Sequence, residues 1–525
     1  MKKLSSKQDN LFDLIKTLSK AEKRNFKLYA LRQAGNSDAN FISLFDTMDT
    51  LTEYDEMRIL KRTSIDKRQL PNTKAHLYRQ ILISTRILNS RHNISFEIRE
   101  QIDFARILYD KGLYKQSLKV LDKAKKTALE YHQLTCALEI VEFEKSIEIL
   151  HVTRSVSSRG ESLSRQTGDL CRMIDSTNDL SNISIQLYGL YLKLGYVRSE
   201  RDLLLVRQFF KPKLDKFREI ELSFLEKINY YQACMWYSYI QYDFLNCYKY
   251  ARKVVYQFDT QPQMRPLFYD FYLKCYSRSM EMLFLMRDHN RLKSSLEHYE
   301  GLINDVFSAG QQAIILSRLP LYFNKINIFI MEGDFKKGVE VIPEIETFLE
   351  GYGSSLDGHY KILFYYKIAC LYFGDDQYLE CIKYLQKIIC SRDSKVRLDI
   401  QCFARILNLI ASYESKQDYN IDYQIRSVYS YIIRMNDMHS AQKEIIGFLK
   451  KMNTYYASDF KKELAKLHDK LKPLEDHPYE RRPFFYLDII SYLESKIKGV
   501  SVAKVIQEKY KALQDSKANP HKNNN

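Results

Sequence analysis

Apolar positions in this chain fall at helical spacing on both sides of short turns, and the arrangement returns along its length. Between Tyr365 and Ile388, apolar or small residues stand at Tyr365, Ile368, Ala369 and Tyr372; the turn Asp376-Gln377-Tyr378 follows, then Cys381, Leu385 and Ile388. Steps of three and four place each set on one face of a helix, so the segment predicts two helices joined by a tight turn. Tyr322, Ile326, Phe329, Gly333-Asp334-Phe335, Gly338, Ile342 and Ile345 repeat nearly the same spacing. Phe104, Ala105, Leu108, Gly112-Leu113-Tyr114, Ser117, Leu121 and Ala124 do so again. Small residues let the paired helices approach closely, and the aromatic after the turn fills the gap between them.

The turn aromatic, or its equivalent, recurs at Tyr114, Phe244, Phe335, Tyr378 and Tyr419, with looser copies near Val197 and Asn290. Successive gaps are 83, 47, 46, 45, 43 and 41 residues, the first close to two units, which places a further pair near residues 130–170 by spacing alone. One helix pair cannot bury its apolar face by itself, so a series of them predicts a stack. The large residue, small residue and Tyr before the turn, with a small residue after it, resemble the tetratricopeptide signature. The chain is thus similar to tetratricopeptide-like helical-repeat proteins of bacterial type, although a unit of 41–47 residues exceeds the usual length of about 34. That resemblance implies an all-α fold: a right-handed α-α superhelix (a TPR-like solenoid) over residues 96–440, with an N-terminal helical bundle and a C-terminal helical cap. It also implies a groove, lined by the first helix of each pair, that holds a protein or peptide partner. Projected onto this chain, the groove positions are Arg106, Tyr109, Asn327, Ile330, Tyr366 and Phe373.

Residues 1–95 read as a separate helical domain, with helices expected at about 6–17, 20–33, 39–50, 53–63 and 71–91. Ser19-Lys20-Ala21-Glu22 is a capping box between the first two, Gly35 supplies a left-handed stop for the second, and Pro71 opens the last. Beyond the repeats, helices are expected at about 440–453, 456–472, 481–497 and 501–514, separated by Pro473 and Pro478 and by Gly499-Val500-Ser501. Residues 441–515 suit a cap on the stack. The polar residues 516–525 suit a disordered tail.

Composition supports long helices with short loops: Gly and Pro together are 26 of 525 residues. The nine cysteines are odd in number, without a Cys-x-x-Cys pair, and read as reduced core thiols. No signal peptide and no membrane span is expected, which points to a cytoplasmic protein. The net charge of +16 sits at the ends, with +8 in residues 1–95, +6 in residues 441–525 and +2 between them.

Candidate chemistry is sparse, and neither a metal nor a cofactor is expected. No histidine pair has helical metal spacing, and Gly351-Tyr352-Gly353-Ser354-Ser355 lacks the ending of a phosphate loop. His132 and Cys136 lie one helical turn apart without an evident third group, and Glu53, Asp55 and Glu56 complement a helix start. Lys20, Lys23, Arg24 and Lys27 share one helix face, and Lys462, Lys466 and Lys470 form a second, more diluted stripe. The first expectation is therefore a non-enzymatic scaffold for a protein or peptide. The alternative is a regulator whose residues 1–95 contact nucleic acid or a response protein, the repeats acting as sensor.

Overall fold

The computed structural model describes residues 9–33, 39–89, 93–151, 157–218, 221–304, 311–353, 356–391, 397–415, 421–434, 439–451 and 457–518. Among them the fold is all-α, without a strand. Five helices open the chain: α1 (Asn10–Thr17), α2 (Lys20–Gln33), α3 (Ala39–Thr50), α4 (Glu56–Arg62) and α5 (Leu70–Asn89). The capping box forms as expected, with the Glu22 N–H donating to Ser19 Oγ at 3.2 Å and the Ser19 N–H donating to the Glu22 carboxylate at 2.8 Å. Apolar residues between Leu11 and Ile81, among them Ile15, Phe26, Phe45 and Leu77, make a core of their own. The helix stop expected at Gly35 lies outside the described residues.

A long series follows: α6 (Ile94–Asp110), α7 (Tyr114–Glu130), α8 (Leu134–Leu150), α9 (Ser157–Leu194), α10 (Glu200–Asp215), α11 (Phe224–Ile240), α12 (Phe244–Thr260), α13 (Tyr269–Leu285) and α14 (His289–Asn304). It continues through α15 (Gln311–Glu332), α16 (Phe335–Glu340), α17 (Ile342–Tyr352), α18 (Gly358–Gly374), α19 (Tyr378–Ile389), α20 (Leu398–Glu414), α21 (Ile421–Arg434) and α22 (Ser440–Lys451). Each helix packs chiefly on helices one or two places away in the chain.

The turns share one backbone device. Gly112, His132, Tyr242, Arg287, Gly333 and Asp376 all adopt positive φ, each two residues before the next helix begins. In each case the following N–H reaches back five residues to a carbonyl: Leu113 to Leu108, Gln133 to Ala128, Asp243 to Ser238, Asp288 to Leu283, Asp334 to Phe329 and Gln377 to Tyr372. This is the Schellman closure, which satisfies carbonyls that a helix end leaves without partners. Four of the six positions are not glycine, so only part of the series is visible as a glycine pattern.

The close approach expected of small residues is present. A Cβ on Gly338 would lie 2.6 Å from the Leu371 side chain, and one on Gly374 would lie 2.3 Å from the Phe335 ring. Phe335, the aromatic after its turn, thus fills the space that Gly374 leaves open.

Three expectations need correction. The region before Val197 does not divide into regular pairs: α9 runs unbroken for 38 residues and packs on α8 and on α11. Pro473 does not end a helix, because α23 (Ala457–Glu475) continues past it. The helix expected at 481–497 is divided into α24 (Arg482–Tyr486) and α25 (Ile489–Lys498), where Asp488 accepts from the Ser491 N–H at 3.0 Å and starts the second. Gly499 closes α25 at φ +71°, and α26 (Val502–Ala518) ends the described chain. The turn aromatic Tyr419, the loop residues Ser354 and Ser355, and residues 519–525 of the expected tail lie outside the described residues.

One described stretch, Gln312–Glu332, is long and apolar enough to cross a membrane, and 61% of its most apolar window is buried inside the fold. Ile315, Leu319, Tyr322 and Ile326 from this helix belong to the largest apolar core.

Candidate partner-binding surface

The six projected groove residues do not share one surface. Arg106 and Tyr109, on α6, face α8: Arg106 pairs with Glu139 at 3.0 Å, and the Tyr109 ring meets Tyr114, Phe143 and His151. Arg106, Phe104 and Ile107 remain exposed. Asn327 is buried and accepts a hydrogen bond from Lys367 Nζ at 2.8 Å, and Ile330 is half-buried against the main core. Burial holds the Lys367 ammonium below the ordinary lysine range, with its cation 4.5 Å from the Phe284 ring centre. Tyr366 and Phe373 are 3% and 6% exposed, so they offer no open surface.

What covers those two is the chain's own C-terminal segment. The Tyr366 hydroxyl donates to the Tyr486 carbonyl at 3.2 Å, and Phe373 meets the Tyr492 ring at 5.7 Å. The same segment also runs along successive turns. Arg482 packs against Gly195 and Tyr196, while Arg481 donates to the Tyr242 carbonyl at 2.7 Å with its guanidinium over the Tyr242 and Phe244 rings. Phe485 meets Phe244 edge-on at 5.4 Å. Glu475 pairs with Arg287, Gln514 bonds Asn290, and Tyr510 shares a hydrogen bond with His289. Gln507 donates to the Gly333 carbonyl at 3.0 Å, and a Cβ on Gly333 would lie 2.9 Å from the Ala503 carbonyl oxygen. Gly333 therefore serves both the positive φ of its turn and the close passage of α26.

Next to this seat lies a cluster of charges and rings. Arg278 spans the Trp236 and Tyr239 rings at 4.9 and 4.5 Å, pairs with Glu281 at 2.6 Å, and shares that carboxylate with the Tyr239 hydroxyl. Burial opposes the guanidinium charge, but Glu281 and the surrounding groups raise its pKa well above the ordinary value. The cluster is satisfied internally and joins α11 to α13.

The basic stripe on α2 is partly neutralised within its own bundle. Lys23 pairs with Asp49 at 2.6 Å and Lys27 with Asp46 at 2.7 Å, whereas Lys20 and Arg24 stay exposed. In the C-terminal stripe, Lys466 pairs with Glu463 and Lys470 with Glu444.

His132 and Cys136 do not form a helical pair. His132 sits in a left-handed turn with its ring stacked on Phe224, and burial lowers its pKa. Burial also pushes the Cys234 thiol up to about 11 and Cys275 to about 12, as befits thiols kept in the core. Among the described residues no group of three or more His, Cys, Asp or Glu side chains is placed to hold a metal ion.

No family model matches the chain, and no curated protein or solved structure gives a match.

Proposed function

We propose that this chain is a non-enzymatic cytoplasmic scaffold: a right-handed α-α superhelix of tetratricopeptide-like type that binds a protein or peptide segment. The observation that supports the reading is the seating of residues 475–514, which are held through named side-chain and main-chain contacts along the helix pairs. Helix pairs that hold one segment in this way have the chemistry to hold another, and α6 keeps Phe104, Arg106 and Ile107 exposed for it. The regulator reading, with nucleic acid on residues 1–95, has less support because Lys23 and Lys27 already carry partners.

Affinity purification of the full-length protein from its host, with Phe104→Ala, Arg106→Ala and Tyr109→Ala combined, tests the scaffold. A defined partner should fall by about 10-fold or more while the helical circular dichroism is kept. Recovery of the same proteins at the same yield removes α6 as a binding surface.

A further inference from the structure

A cluster of cations lies in the middle of the chain, which carries almost none of the net charge. Residues 211–218 read Lys-Pro-Lys-Leu-Asp-Lys-Phe-Arg, and α12 carries Lys249, Arg252 and Lys253 with no carboxylate between Asn246 and Gln257. The two stretches meet around tyrosines. Arg218 is exposed at the end of the first stretch and acts electrostatically on Tyr230 of α11 and Tyr250 of α12. Lys253 lies 5.4 Å from the Tyr231 ring centre and 5.2 Å from that of Tyr250, and Arg252 lies 5.8 Å from that of Tyr276. Lys249, Arg252, Lys253 and Tyr256, with neighbours that all belong to α12, line an open depression of about 510 Å³.

Two nearby carboxylates have partners: Asp243 caps α12 through the Asn246 N–H, and Asp259 pairs with Arg265. Asp215 is exposed, one turn before Arg218. On α12 itself, rings rather than carboxylates neighbour Arg252 and Lys253, so their charge remains available to a ligand. Tyr256 is 62% exposed, one further turn along the face that presents Lys249 and Lys253. Lys249 to Tyr256 spans about 10 Å of helix axis, with cations and rings alternating.

We propose that this face of α10–α12 binds single-stranded nucleic acid, with Arg218, Lys249, Arg252 and Lys253 on phosphates and a base stacked on Tyr256. Interleaved cations and exposed rings are what an unpaired strand uses, since its bases have free π-faces that a duplex keeps stacked inside. An acidic peptide satisfies the cations but leaves the rings without a role. The proposal is independent of the scaffold reading, which rests on α6 and the turns.

The test is fluorescence anisotropy of full-length protein with labelled oligo(U) and oligo(dT) of about 20 nucleotides. Four phosphate contacts predict a log–log salt slope of about −3, a loss of roughly 50-fold between about 50 and 200 mM salt. Lys249→Glu with Lys253→Glu should abolish binding. Tyr256→Ala should weaken it by about 5-fold or more with little change in salt slope. Lys20→Glu with Arg24→Glu should leave affinity unchanged, and circular dichroism checks that each variant is folded. Binding of oligo(U) alone assigns RNA, and equal binding of both strands assigns the phosphate backbone and base faces common to them. Absence of binding by the wild type, affinity insensitive to Tyr256→Ala, or a poly-glutamate peptide binding as tightly as either strand would overturn the proposal.

Discussion

The two ends of this protein are alike in sequence and opposite in structure. Both are basic and helical, and each reads as a terminal unit attached to the repeats. Yet residues 9–89 bury many of their apolar side chains among themselves, and a side-chain link to α6 is the exposed Arg86–Asp103 pair at 3.2 Å. Residues 457–518 instead contribute Leu464, Leu467, Leu471, Phe484, Ile490, Leu493 and Ile506 to a core that begins at Ile315. They also reach back to turns at Gly195, Tyr242, Arg287 and Gly333. Cations show the same contrast: Lys23 and Lys27 meet carboxylates one helix away, whereas Arg481 meets a carbonyl 239 residues away. Charge at a chain end therefore says little about its role until its partners are known.

The largest effects should come from the two cores. Phe45→Ala and Leu493→Ala each remove a fully buried side chain and should cost about 2–5 kcal/mol. Hydrogen exchange should separate them. Phe45→Ala should speed exchange within residues 9–89 only, while Leu493→Ala should speed it across 315–449 as well. Spread of the Phe45→Ala effect past residue 93 would break the contrast.

Arg481→Ala should follow, at about 1–3 kcal/mol, through loss of one hydrogen bond and the ring contacts. Faster exchange at the Tyr242–Phe244 turn is the specific sign, and an unchanged turn would mean that the segment rests on it without holding it.

A smaller effect concerns pH. Burial pushes the Glu475 carboxyl up, but hydrogen bonds and charges from Lys472 and Arg287 outweigh it and hold the pKa below the ordinary value. Because the folded chain binds this proton less well than the unfolded chain, the stabilisation is complete above the unfolded carboxylate pKa, about 4.3. It is lost as pH falls through the folded value. Urea unfolding midpoints between pH 7 and pH 3 should show a loss that Glu475→Gln reduces; an identical slope in both proteins would remove the pair from the account.

The smallest effect is expected at the N-terminal stripe. Lys27 and Asp46 are about half exposed, so Lys27→Ala should change stability by no more than about 0.5 kcal/mol in urea.

Local order was legible from the sequence because its causes are local. Helix periodicity, the Ser19–Glu22 box, the Gly112 and Gly333 turns and the small residue at Gly338 all depend on residue size and spacing within one or two helices. The Asp376 turn was legible from the apolar pattern on either side of it, whereas His132, Tyr242 and Arg287 were less legible, since their left-handed turns use residues that carry no such signal. The basic-aromatic face of α10–α12 was written in the Lys211–Arg218 and Lys249–Tyr256 segments, but neither stands out until the tyrosines of α11 come between them. Tertiary structure alone decided that Tyr366 and Phe373 would be covered, and by which segment. Those contacts join residues more than a hundred positions apart, where no periodicity relates the partners and only close packing selects them.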